Sequence, residues 1–195
     1  MRPRIALAAG LLLFSARGVP AQSLIELRGS TTEYRFVDFT HTFKSAFTTD
    51  LLYLGAPGSD ELYLGAGYAW KPAGGVGFTP LLYFVAGKQD NERGLALCLS
   101  LFVDRGGWRV LGFGGRFFHL GGDVPAYDFL DSLDLTRVFA KRWEVGVSGG
   151  FLHSGDTWNP LVGPTLKLGD RLGTTALAAR AGYRGELRLI RTFSF

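Results

Sequence analysis

From residue 23 onward, apolar and polar side chains alternate with a period of two in runs of strand length, separated by turn-forming residues. The clearest run sets Leu95, Leu97, Leu99, Leu101 and Val103 on one face and Ala96, Cys98, Ser100 and Phe102 on the other. Leu62, Leu64, Ala66, Tyr68 and Trp70 oppose Glu61, Tyr63, Gly65 and Gly67 in the same way. Further along, Trp143, Val145, Val147 and Phe151 alternate with Glu144, Gly146, Ser148 and Gly150, and Val162, Leu166 and Leu168 oppose Thr165 and Lys167. Leu177, Ala179, Ala181 and Tyr183 then oppose Thr174, Ala176, Ala178, Arg180 and Gly182. At the start, Ile25 and Leu27 alternate with Glu26 and Arg28. Leu111, Phe113 and Phe117 read as an apolar face against Gly112, Gly114 and Arg116, whereas residues 45–54 do not alternate cleanly.

The breaks between runs carry turn chemistry: Pro57-Gly58, Gly106-Gly107, Lys141-Arg142 and Gly169-Asp170. Runs and breaks together tile the chain into about twelve strands, or ten if the two N-terminal segments are discounted. An even count places both ends of the sheet on one side. Residues 56–60 read as a loop, and short turns at 105–107, 140–142 and 169–172 are expected at that end, with longer loops at 88–93, 119–126 and 154–159 at the other.

Composition narrows the class. Of 195 residues, 28 are glycine and 14% are aromatic, and beyond the N-terminus no apolar run reaches the ~18 residues of a spanning helix. Residues 5–14 form a shorter apolar run, preceded by Arg2 and Arg4 and followed by Val19-Pro20-Ala21. This is the order of a secretory signal, so residues 1–21 are expected to be cleaved and residues 22–195 to form one domain. With residues 1–21 go Arg2, Arg4, Arg17 and no acid, so 21 basic residues fall to 18 against 17 acidic. The apparent net charge of +4 therefore does not argue for a nucleic-acid partner. Cys98, the single cysteine, reads as a small packing residue in a strand.

The last strand is amphipathic: Leu187, Leu189, Phe193 and Phe195 share one face, and Glu186, Arg188, Thr192 and Ser194 the other. A C-terminal strand of this kind, ending in Phe, resembles the closing strand of bacterial outer-membrane β-barrels. The resemblance implies outer-membrane localisation, contact with outer-membrane lipid, and recognition of Phe193 and Phe195 by the barrel assembly machinery. The expected fold is all-β: a single antiparallel, up-and-down transmembrane β-barrel with leucine stripes turned to lipid and glycine, serine and charge turned inward. A secreted soluble barrel binding an apolar ligand is the competing fold, and it requires residues 95–103 to point their leucines inward. Two residues misfit the membrane reading. Arg191 shares parity with Leu189 and Phe193, so it must sit near an interface or follow a bulge; Asp131, between Phe129 and Leu133, poses the same problem.

Inward charges form the candidate site: Arg116, Asp134, Glu144, Lys167, Arg180, Glu186 and Arg188 are expected to make a lumen charge network. If Tyr183-Arg184-Gly185 is a three-residue loop with Ala181 and Leu187 outward, Arg180 faces Arg188 and needs a nearby acid, with Glu186, Glu144 and Asp134 as candidates. Such a lumen suits a restricted channel or a structural or binding component of the envelope. The alternative is enzymatic. His153, Ser154 and Asp156 at a strand end are similar in placement to the catalytic residues of outer-membrane phospholipase A and the lipid A deacylase, where a His and a Ser two residues on precede an Asn. Here Ser154 directly follows His153, so in an extended strand the two side chains diverge; a turn beginning at His153 is required to bring them together, with Asp156 then orienting His153. His41 and His119 have no metal-ligand spacing, and no glycine-rich segment precedes a helix, so neither a metal nor another cofactor is expected. The leading expectation is a non-enzymatic barrel.

Overall fold

A computed structural model describes residues 21–72, 74–88, 93–121 and 125–195. The expected signal segment lies almost wholly outside these residues. The described residues form twelve strands: β1 (Gln22–Ser30), β2 (Arg35–Thr42), β3 (Phe47–Ala56), β4 (Ser59–Tyr68), β5 (Val76–Gly87), β6 (Gly94–Arg105), β7 (Trp108–His119), β8 (Tyr127–Ala140), β9 (Trp143–Ser154), β10 (Thr157–Gly169), β11 (Gly173–Gly182) and β12 (Glu186–Ser194). Each pairs antiparallel with its neighbours in sequence, and β1 closes on β12 from Leu24 opposite Ser194 to Ser30 opposite Arg188. Closure leaves no unpaired sheet edge, the condition for crossing a bilayer with strands.

The leucine stripes point outward. Leu97 and Leu99 are about half exposed on the outside of β6, and Leu64, Leu82, Val147, Val162 and Leu189 continue an apolar belt around the barrel. The soluble alternative fails here, because the stripe at 95–103 does not enclose a ligand. Trp70, Trp108 and Trp143 stand at the end that carries the termini, and Trp158 at the opposite end, as in the aromatic girdles of membrane barrels. Arg191 does face outward, beside the last turn at the termini end. There it reaches Asp170 with Nη1 to Oδ2 at 2.7 Å and Nη2 to Oδ1 at 2.9 Å. It lies at the edge of the belt rather than within it.

Several details depart from the sequence expectation. Residues 56–60 and 154–159 are not loops: the strands run on to two-residue turns at Pro57-Gly58 and Gly155-Asp156, where glycine takes a positive φ. The termini end carries one of the longer connections, residues 69–75, so loop length does not separate the two ends. In the uncertain third segment, Phe47, Leu51 and Tyr53 face outward while Thr48, Asp50 and Leu52 are buried inside. Phe113 and Phe117 point inward, opposite to the expected face. They join Phe36, Leu52, Tyr63, Leu81, Tyr83, Val85, Ala96 and Cys98 in an apolar cluster inside the barrel wall of β2–β8. Room for this cluster comes from missing side chains. A Cβ on Gly65 would stand 2.4 Å from Cε1 of Tyr83, whose ring lies over that strand.

The largest irregularity is in β8. Against β7, Ser132 pairs with Phe113 and Leu130 with Gly114, which leaves Asp131 as an extra residue; against β9, pairing jumps from Leu130 to Leu133. This β-bulge reverses parity along one strand. Tyr127 and Phe129 pack on the inner cluster, whereas Leu133 and Leu135 beyond the bulge are exposed outside and Asp134 and Thr136 are buried inside. Asp131 therefore enters the lumen, and its expected conflict with a lipid-facing Phe129–Leu133 face does not arise.

Candidate functional site: a charged wall across the lumen

The inner surface has two unlike halves. β2–β8 contribute the aromatic and aliphatic cluster, with Asp38, Asp50, Asp104 and Arg109 toward the termini end, and β8–β12 together with β1 contribute most of the charge. Apart from Asp131, which the bulge turns inward, the charged residues of this second wall have the inward parity of their strands, so their placement follows from the alternation that sends the intervening leucines outward.

Asp131 is the centre of the wall. Its carboxylate accepts from Arg28 Nη1 through Oδ2, from Arg188 Nη1 through Oδ1 at 3.0 Å, and from the Tyr34 hydroxyl at 3.4 Å. The bulge also frees the Asp131 carbonyl, which accepts from Arg180 Nη1 at 3.0 Å. Arg180 Nε donates to Glu186 Oε2 at 2.9 Å, Arg188 Nη2 reaches Glu186 Oε1 at 3.4 Å, and Arg28 is paired with Glu26. Three guanidinium groups thus meet three carboxylates, so the cluster is electrically balanced. Buried ion pairs persist only with this kind of compensation, because each charge has lost its hydration. The guanidinium groups also lie against rings, Arg28 4.1 Å from the Phe36 centroid and Arg188 5.0 Å from that of Tyr34.

The geometry is a chord. β8 is not adjacent to β1, β11 or β12, yet Asp131 is bound to arginines on all three. The contacts run across the interior and brace opposite walls. Gly150, on β9 beside the bulge, keeps the space open. A Cβ there would lie 2.7 Å from the Leu130 carbonyl, 3.0 Å from that of Asp131 and 3.1 Å from Arg180 Nη1.

A second group of charges sits toward the termini end. Lys167 Nζ is 2.7 Å from Asp134 Oδ2, with both side chains buried, and Arg109 joins Asp104 at 2.8 Å to Glu144, which also accepts from Thr136 Oγ1 at 2.8 Å. Between the acids of β1–β3, Thr40 Oγ1 donates to Asp50 Oδ2 at 3.0 Å.

Of the residues expected to line the lumen, Asp134, Glu144, Lys167, Arg180, Glu186 and Arg188 are buried on this wall. Arg116 is not among them. It is adjacent to inward-facing Phe117, so it points out, half exposed, with Asp128 3.5 Å away on the neighbouring strand. The expected meeting of Arg180 with Arg188 also differs: β11 and β12 pair two residues out of that register, setting Arg180 opposite Glu186 and Arg188 opposite Ala178. The neutralising acid is thus the cross-strand neighbour. Arg28, Glu26, Asp104, Arg109 and Tyr34 were not expected in the network. Arg28 and Glu26 carry the same inward signal of alternation as the others, whereas Asp131 was hidden by the bulge.

The residues of the enzymatic alternative do not assemble. His153 points outward, with Nδ1 3.6 Å from Asp128 Oδ2 and its ring 5.1 Å from that of Trp158. Ser154 is the next residue along the strand and has the opposite parity, and Asp156 is in the turn. Among the described residues no cluster of His, Cys, Asp and Glu has the arrangement of a metal site.

No family model matches the chain, and no curated protein matches it in sequence. Solved structures do match in shape. The KdgM porin aligns with a TM-score of 0.66 at 14% identity, covering 88% of this chain and 99% of that one. The same porin in complex with disordered oligogalacturonate gives 0.66 at 13% identity over 89% and 99%. The NanC porin gives 0.58 at 9% identity over 90% and 98%. The chain therefore shares its fold, a closed antiparallel barrel of twelve strands among the described residues, with these porins.

Proposed function

We propose that the mature protein is an outer-membrane channel of restricted bore, with its constriction at the Asp131 chord. The observation that carries this reading is that Arg28, Arg180 and Arg188 meet Asp131 from three strands that do not adjoin β8. A selective constriction needs charge held at fixed positions across the lumen, and the chord holds it there. The outward apolar belt and the porin-like fold support residence in the outer membrane. Export would follow cleavage of residues 1–21, and Phe193 and Phe195 would present the last strand to the assembly machinery.

Single-channel recording of refolded protein in planar bilayers tests the proposal. Wild type is expected to give a small unit conductance. Asp131→Ala raises it and shifts selectivity toward anions, because Arg28 and Arg188 lose a shared counter-charge. Silence in wild type, in Asp131→Ala and in the Arg180→Ala/Arg188→Ala double variant would reject the channel and leave a structural or binding role.

A further inference from the structure

Every turn at the termini end carries a cation. Lys44 lies in the β2–β3 turn, Lys71 between β4 and β5, Arg105 at the β6–β7 turn, Lys141 and Arg142 in the β8–β9 turn and Arg171 in the β10–β11 turn, and all six are exposed. We infer that this ring is a docking surface for a leaflet of anionic phospholipid, the one on the side of the termini. The inference rests on residence in a membrane and not on conduction through the lumen.

The ring carries net positive charge because the acids near it are already paired. Asp104 is 2.8 Å from Arg109 and Asp170 is 2.7 Å from Arg191, and among the described residues no carboxylate forms an ion pair with any of the six cations. The opposite end is mixed in charge. There Lys88 is 3.4 Å from Asp60 and Arg116 is 3.5 Å from Asp128, and the turns add Glu33 and Asp156. The asymmetry of exposed charge therefore lies along the barrel axis.

The aromatic girdle fixes the depth of the ring. Trp70 directly precedes Lys71, Trp143 directly follows Arg142, and Trp108 pairs with Arg105 across the β6–β7 turn, where the Arg137 guanidinium lies 5.4 Å from its ring centroid. Tryptophan rings at the ends of lipid-facing strands sit at the level of the headgroups. Cations beside those rings therefore stand among headgroup phosphates, where basic side chains are drawn to anionic lipid.

The spacing of the cations selects the partner. They belong to five separate turns around the rim, and none of them lines the lumen cavity. A small soluble anion is held by donors that converge on one point. A rim of separated cations instead matches an extended sheet of negative charge.

Tryptophan quenching by brominated lipids, in protein refolded into vesicles, compares phosphatidylglycerol with phosphatidylcholine. In low salt wild type is expected to prefer the anionic lipid about threefold, and about 1 M NaCl, which screens charge within about 3 Å, should bring the ratio to about one. Lys71→Gln/Arg105→Gln/Lys141→Gln/Arg142→Gln, checked for an intact barrel by heat-dependent gel mobility, should abolish the preference in low salt. Arg35→Gln/Lys88→Gln, at the other end, should keep it. The inference is overturned if wild type does not discriminate between the lipids in low salt, if its preference survives high salt or the quadruple substitution, or if the control variant loses it. Equal quenching by both lipids removes the docking surface alone and leaves the cations to a soluble partner, whereas no quenching by either lipid removes membrane residence with it.

Discussion

Replacing Asp131 by alanine removes the carboxylate shared by Arg28 and Arg188, which are only 8% and 6% exposed at the side chain. Breaking a buried ion pair from one side costs about 3–5 kcal/mol, because the partner charge is left unsolvated. Here Arg28 keeps Glu26 and Arg188 keeps Glu186 at 3.4 Å, so the lower end, about 3 kcal/mol, is expected. Arg180 should be little affected, since it bonds the Asp131 carbonyl and not its side chain. Deleting Asp131 altogether is a sharper perturbation. It removes one of the two residues that oppose Gly150, so Phe129 still faces in and Leu133 still faces out, but the carbonyl acceptor for Arg180 goes as well. A hydrogen bond to a charged group contributes about 1.5–3 kcal/mol, which makes the deletion costlier than the alanine variant by up to that amount, less whatever the straightened strand regains. Equilibrium urea unfolding in phospholipid micelles, with refolding and unfolding curves superimposed, measures both differences. If Asp131→Ala lies within about 0.5 kcal/mol of wild type, well short of the buried-pair range, the arginines are solvated and the buried chord is not an energetic unit.

Gly150→Ala places a methyl group against two carbonyls and Arg180 Nη1, and overpacking of this kind is expected to cost about 2 kcal/mol in the same unfolding assay. Leu99→Arg, at the middle of the outward stripe of β6, should cost about 2–4 kcal/mol in a bilayer, and a negligible cost would mean that the stripe does not meet hydrocarbon. The hydrogen bonds from Arg191 and from the Leu172 and Gly173 amides hold the Asp170 carboxyl down at about 2, below its usual 3.8. A lowered folded pKa contributes stability that is complete above the unfolded value and lost as pH falls, so the wild-type advantage over Asp170→Asn in unfolding midpoint should be present above pH 4 and disappear between about pH 4 and 2. An advantage that persists unchanged below pH 2 would place its origin elsewhere.

The alternating pattern by itself determined the strands, their number near twelve and the outward face of most of them, because a period of two is a local property and hydrocarbon outside the barrel imposes it wherever the inner residue is small or polar. In β7 it pointed the wrong way: Phe113 and Phe117 are more apolar than the outward Gly112, Gly114 and Arg116, because an interior filled by aromatic rings inverts the contrast on which parity depends. The inward charges of β9–β12 were legible for the same local reason, but their partners were not. Asp131 and Arg28 are separated by 103 residues in sequence, and Asp131 and Arg188 by 57. Only closure of the sheet brings them together, and only the extra residue in β8 turns Asp131 inward to meet them. Register in the last hairpin was likewise decided in three dimensions, since a pairing that sets Arg180 against Glu186 satisfies a buried charge that an Arg180–Arg188 pairing would leave repelled.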